Sequence, residues 1–144
     1  MENTSERSPQ FFKNSNEEKK CILVVDDNED FLDITTMILS MNDFEVSTAS
    51  GARSALAMLR DGAKPDLIFL DYLMQGMSGS EFLERLEKDL PGIFNHVPVV
   101  FLSGMDEIPE SKAAGFVKKP IDMKQFLVAA HHYIETGVGH RQSH

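Results

Sequence analysis

Five short apolar segments, four of them running into a residue able to do chemistry, constrain this chain most. They are Ile22–Val25 before Asp26-Asp27, "FEVSTA" at 44–49, "DLIFLD" at 66–71, "VPVVFL" at 97–102 before Ser103, and "GFVKK" at 115–119. The first, third and fourth are continuous and rich in β-branched residues, the pattern of strands buried on both faces. The second alternates apolar and polar, so one of its faces is less buried. Pro98 falls near the start of its run, where a missing donor costs least.

Helical periodicity fills the gaps. Phe31, Ile34, Ile38 and Met41 recur at helical spacing, with Asn28 as N-cap and Glu29 and Asp30 in the first turn, where acids suit the helix dipole. Ala52, Ala55, Leu56 and Leu59 predict a second helix, stopped by Asp61-Gly62. Ser78-x-x-Glu81 is a capping box ahead of Phe82, Leu83, Leu86 and Leu90, and Pro91-Gly92 is expected to end that helix. Asp122 caps a last helix with Phe126, Leu127, Ala130 and Ile134 inward. Strict alternation argues a parallel sheet with helices on both faces. Between the fourth and fifth strands, "SGMDEIPESKAA" leaves room for only about a turn and a half of helix near Pro109, close to the shortest crossover parallel strands allow.

Bulk properties narrow the function. The chain has 144 residues and a net charge of −9, which opposes non-specific nucleic-acid binding. No apolar run approaches the ~20 residues of a membrane span, and the N-terminus lacks a signal-peptide core, so a cytoplasmic location is expected. The single cysteine, Cys21, excludes an internal disulfide and reads as a buried, inert thiol. Residues 1–19 read as a disordered tail, 20–135 as the domain, and 136–144 as a flexible end. Phe11-Phe12 is the one apolar oddity in the first tail. His131 and His132 fall on the last helix and form no recognisable site.

The strand ends carry the chemistry. In an open parallel sheet, ligands bind beyond the carboxyl ends of the strands. Three carboxylates, a hydroxyl and an ammonium would meet there, from Asp26, Asp27, Asp71, Ser103 and Lys119. Each alone is ordinary turn or cap chemistry, and it is their order along four strands that points to a site. Two adjacent aspartates about 4 Å apart repel by roughly 4 kcal/mol at an effective dielectric near 20. Either they diverge or a cation offsets them.

The segments "ILVVDDN", "PDLIFLDYLM" with "GMSG", "VVFLSG" and "FVKKP" closely resemble the receiver domains of two-component response regulators, over about residues 21–135. The resemblance implies a flavodoxin-like α/β fold, a doubly wound five-stranded parallel sheet of order 2-1-3-4-5, here with a shortened fourth helix. It implies that Asp71 is the phosphoacceptor. Asp26, Asp27, Asp71 and the backbone carbonyl of Leu73 would hold Mg²⁺. Ser103 would turn toward the phosphoryl group, Lys119 would pair with it, Phe116 would be the aromatic switch residue, and Lys119–Pro120 would be cis. The implied role is a single-domain regulator phosphorylated by a sensor histidine kinase or histidine phosphotransfer protein. It would act on a downstream protein, without nucleic-acid binding, membrane insertion or enzymatic turnover beyond its own phosphorylation and dephosphorylation. The chemistry is consistent in itself: a carboxylate can hold a phosphoryl group covalently, and a hard divalent cation suits clustered oxygen donors.

Two departures from the family pattern stand out. Gln75 replaces a usual proline, which is expected to loosen the loop after Asp71. The crossover between the fourth and fifth strands is several residues short, which touches the family's signalling face. Two other readings remain open. One is a phosphorylation-independent binding module. The other is a phosphatase of the haloacid-dehalogenase type, whose first motif wants aspartates two apart where this chain has Asn28 after Asp26, and which wants a cap domain.

Overall fold

The computed structural model describes residues 19–140. The expectations for residues 1–18, the Phe11-Phe12 pair among them, and for residues 141–144 lie outside the described residues. Five strands form one parallel sheet: β1 (Cys21–Val25), β2 (Glu45–Ala49), β3 (Leu67–Asp71), β4 (Val99–Ser103) and β5 (Gly115–Lys118). Their spatial order is β2-β1-β3-β4-β5, so order reverses between β1 and β3. This is the doubly wound, flavodoxin-like arrangement expected. The central strands β3 and β4 are buried throughout, while edge strand β2 keeps three of its five residues exposed.

Helices cover both faces. Leu32 and Leu39 of α1 (Glu29–Ser40) and Phe126 and Ala130 of α5 (Met123–Thr136) pack on Ile22, Val24, Phe69 and Leu102. On the other face, α2 (Ala52–Arg60), α3 (Gly79–Asp89) and the short α4 (Pro91–His96) meet Leu23, Val25, Leu70 and Phe101. Two stacked layers of buried rings and branched side chains thus hold the strands flat against their helices. No helix among the described residues is long and apolar enough to cross a membrane.

Local chemistry explains several departures from expectation. The buried stripe of α1 is Leu32, Thr35 and Leu39, whereas Ile34 and Met41 are exposed at 43% and 75%. The face is turned by one position because Thr35, polar by composition, is satisfied inside its own helix. Its hydroxyl donates to the carbonyls of Phe31 and Leu32 and so can be buried. Pro91 does not simply stop α3. It occupies the first turn of α4, where its missing N–H is no loss. The expected capping box at Ser78 and Glu81 is present in full. Cys21, expected buried, is only partly so, because it opens β1 at the rim of the sheet, where its thiol meets Glu45. Burial, then the Glu45 hydrogen bond and charge, push that thiol up, which keeps it protonated.

The shortened crossover goes all the way. Residues 104–114 contain no helical turn at all, so the turn and a half expected near Pro109 is absent. Ile108 and Ala113 anchor the segment to the core on one face and Ala114 on the other. At the C-terminal side, α5 ends at Thr136 and a 3₁₀ turn, Gly137–His140, follows where a loose end was expected.

Tight packing at one glycine yields a test. A Cβ on Gly79 would sit 2.8 Å from both the Phe101 and Tyr72 rings, while one on Gly92 in α4 meets nothing within 4 Å. In denaturant unfolding, Gly79→Ala is expected to lose about 1–3 kcal/mol through overpacking. Gly92→Ala is expected to gain up to about 1 kcal/mol from helix propensity.

Candidate functional site

The sheet delivers its reactive groups to one rim. Asp26 follows β1, Asp71 and Ser103 are the last residues of β3 and β4, and Lys119 follows β5. The adjacent pair Asp26-Asp27 divides. Asp26 turns inward and is 1% exposed, while Asp27 is exposed to solvent.

Asp26 is held on both oxygens. Its Oδ1 accepts the Asn28 backbone N–H at 3.0 Å, and its Oδ2 accepts from Lys119 Nζ at 3.1 Å. Asn28 also caps α1 by accepting the Phe31 N–H. One residue thus starts the helix and fixes the acid. Lys119 reaches across the rim to Asp71 Oδ1 as well, at 3.3 Å. Its ammonium lies 5.5 Å from the centre of the Phe31 ring, within cation–π range. Phe31 in turn packs edge-on against buried Phe126. Sequence periodicity marks Phe31 as a core position. Its place one turn after the Asp-Asp-Asn run is the signal that it could also face the site.

The ionisation of the pair follows from this geometry. Burial is the largest influence on Asp71 and raises its pKa. The Asp26 charge adds to that, Lys119 works against it, and Asp27 adds a little more. For Lys119, burial alone would lower the pKa. The hydrogen bond and charge of Asp26, followed by those of Asp71, outweigh it and leave the ammonium raised. Lys119 therefore stays charged between two carboxylates, while Asp71 is the acid that resists ionisation.

Ser103 is 2% exposed, and its Oγ accepts the Met105 backbone N–H at 3.0 Å. Its carbonyl accepts the Lys119 N–H at 2.7 Å, which ties the fourth strand end to the fifth. The Lys119–Pro120 peptide bond is cis. Leu73 is 63% exposed and opens a two-stranded antiparallel hairpin, Leu73–Met74 with Met77–Ser78. Gln75 and Gly76 form its turn, and Gly76 supplies the positive φ of 85°. The loop after Asp71 is closed by this strand pairing. Phe116 is 40% exposed and pairs in register with Phe101 on β4, away from the acids.

One ligand atom from each of Asp26, Asp27 and Asp71 lies within 4.8 Å of the others. Three carboxylates with no sulfur or imidazole form a hard, oxygen-only donor set. That suits Mg²⁺, which takes one or a few carboxylates and keeps waters. The residues present fit such an ion.

An α/β domain with an acid cluster at its strand ends, bridged by a lysine just past the last strand, is the architecture that the sequence motifs implied. The comparison with known proteins agrees: residues 22–131 match the response regulator receiver domain family, and the chain belongs to it. It is 40% identical over 108 residues to response regulator PleD of Caulobacter vibrioides, covering 70% of this chain and 23% of that protein. It is 33% identical over 123 residues to the nitrogen assimilation regulatory protein NtrX of Azorhizobium caulinodans, covering 80% and 26%. The chain therefore spans about a quarter of the length of these relatives. Among solved structures, the receiver domain of NtrX from Brucella abortus superposes with a TM-score of 0.67 at 37% identity, over 80% of this chain and 98% of that one. Chemotaxis protein CheY4 of Vibrio cholerae gives 0.71 at 26% identity, with the same coverage.

The raised Asp71 pKa sets a pH dependence. A carboxyl whose folded pKa lies above its unfolded value binds more protons when folded. Stability then falls as pH climbs from the ordinary Asp value, about 4, through the raised one, and is level above. In metal-free buffer, Asp71→Asn should remove this fall and melt higher than the parent at neutral pH, with the two converging in acid. Added Mg²⁺ should raise the parent's melting temperature, by about 2.7 kcal/mol of stability at a hundredfold excess over its Kd, and the variant's by much less. Thermal melts across pH, with and without the ion, check both.

Proposed function

We propose that the chain accepts a phosphoryl group on Asp71 from the phosphohistidine of a sensor kinase or a histidine phosphotransfer protein. The observation that carries this reading is the single ammonium of Lys119, shared between Asp26 and Asp71 beside a third carboxylate. An Asp71 oxygen forms the new O–P bond as the donor's P–N bond breaks, and the imidazole leaves. Such transfer needs chiefly in-line placement and charge stabilisation. Lys119 stands where it can meet the developing charge on the phosphoryl oxygens. Ser103 already accepts a backbone proton, so its own hydroxyl proton is available to donate to such an oxygen. Mg²⁺, held by Asp26, Asp27, Asp71 and the Leu73 carbonyl, would screen the negative charge gathered there.

The output is a change in affinity for another protein. A phosphoryl group that binds one conformer of the rim better than the other shifts their populations, and Phe116 is the side chain proposed to report the shift. No catalytic turnover of an external substrate is part of this reading.

Acetyl phosphate with Mg²⁺ provides the test. Intact-mass measurement should show one added phosphoryl group on the parent and none on Asp71→Asn. Asp26→Asn should raise the Mg²⁺ concentration needed for half-labelling by about tenfold or more. Absence of any adduct on the parent would favour a phosphorylation-independent binding module, and rapid turnover of a phosphomonoester would favour a phosphatase.

A further inference from the structure

Of the three N–H groups on the Lys119 ammonium, one serves Asp26 Oδ2 at 3.1 Å and one serves Asp71 Oδ1 at 3.3 Å. The two carboxylates are unequal competitors. The Asp26 side chain is 1% exposed against 10% for Asp71, and it has the shorter bond. A lysine carries its charge on a flexible four-carbon stem with no fixed fork geometry. Charge alone would draw the ammonium onto Asp26 and away from Asp71. A third contact bears on the same group: the Phe31 ring, whose centre lies 5.5 Å from Nζ.

Phe31 is itself held from several directions. Its backbone N–H donates to Asn28 Oδ1, and the Asn28 N–H donates to Asp26 Oδ1, so the ring is indexed to the first acid. Its carbonyl accepts the Thr35 hydroxyl. Its ring packs edge-on against Phe126 with centroids 6.1 Å apart, and Phe126 packs on Phe69 at 4.4 Å. Phe69 and Phe126 are fully buried, and Phe69 lies two residues before Asp71 on β3. Three rings thus run from the strand that carries Asp71 to the lysine that serves it. An aromatic face attracts a cation through its quadrupole and leaves the charge unneutralised. A carboxylate in this place would consume the ammonium, and an aliphatic side chain would not hold it.

We infer that Phe31 is a positioning residue for phosphoryl transfer, its ring holding the Lys119 ammonium within reach of Asp71 so that it meets the incoming phosphoryl oxygens. This rests on the reading of Asp71 as the phosphoacceptor. With acetyl phosphate as donor, an Asp71 oxygen forms the O–P bond, the donor's P–O bond breaks and acetate leaves. Negative charge then sits on the phosphoryl oxygens rather than on the Asp71 carboxylate. Lys119 must follow that charge while keeping Asp26. A neutral ring lets the ammonium shift without the breaking of a further ion pair.

Labelling of the full chain by acetyl phosphate with Mg²⁺, followed by intact mass over a range of donor concentrations, separates the limiting rate from donor binding. A small donor also keeps protein docking out of the readout. Phe31→Leu and Phe31→Met, apolar but without a ring, should lower the limiting rate by about twofold to thirtyfold, the span of a cation–π contact, and leave the half-saturating donor concentration unchanged. Phe31→Tyr keeps the aromatic face and should stay within about twofold of the parent. Lysine side-chain NMR supplies a second readout. The Lys119 methylene protons should show the shielding of a ring face in the parent and in Phe31→Tyr. An unchanged limiting rate in a folded Leu or Met variant, an equal fall in Phe31→Tyr, a change confined to the half-saturating concentration, or an unshielded Lys119 in the parent would each overturn the inference and leave the phosphoacceptor reading intact. A parent that takes no label at all overturns both.

Discussion

One ammonium group joins the two halves of this sheet. Lys119 lies 93 residues beyond Asp26 and 48 beyond Asp71, yet bonds to both. Without it, two largely buried carboxylates would face each other in a setting of low polarity, where unpaired charge is expensive. Everything that brings Lys119 to that point is therefore part of the site. β5 must pair with β4, the Ser103 carbonyl must take the Lys119 N–H, and Phe31 must lie beneath the lysine. The rim is a small electrostatic bargain struck by the topology: charges that repel are tolerable because the strand order delivers their counterion.

Asymmetry between the acids follows from the same arrangement. Asp26 has a donor on each oxygen and is fully engaged. Asp71 has the lysine on one oxygen only, and its burial and its neighbour's charge hold its pKa up. The less satisfied carboxylate is the one with an oxygen left for other chemistry. Ser103 shows the complementary case, since its acceptor capacity is used locally and its proton is not.

Strands were legible in the sequence because burial on both faces leaves a continuous apolar run that no other element mimics at that length. The acid, hydroxyl and lysine positions followed, being fixed to strand ends. Helix faces were less legible. A threonine inside α1 looks polar until its hydroxyl is seen bonded to its own helix, and a proline after α3 looks like a stop although it opens a new turn. The crossover was hardest. A short spacing signals that a helix must shrink, but whether one turn survives depends on whether Ile108 and Ala113 can fill the face alone, which is a matter of three-dimensional fit. The Lys119–Phe31 contact was likewise hidden, since periodicity shows that a ring points inward and not what it will touch.

All five strands run the same way, and α5 returns antiparallel to them beneath the sheet. The domain's entry at Cys21 and the end of α5 at Thr136 both lie toward the rim opposite the acids. A five-residue strand sets about 17 Å between entry and pocket, and the fourteen residues of α5 bring the chain back about 21 Å. The described chain therefore enters and leaves on the side away from the acid pocket. An architecture of this kind can be spliced between neighbours of many sorts with its working end still facing outward.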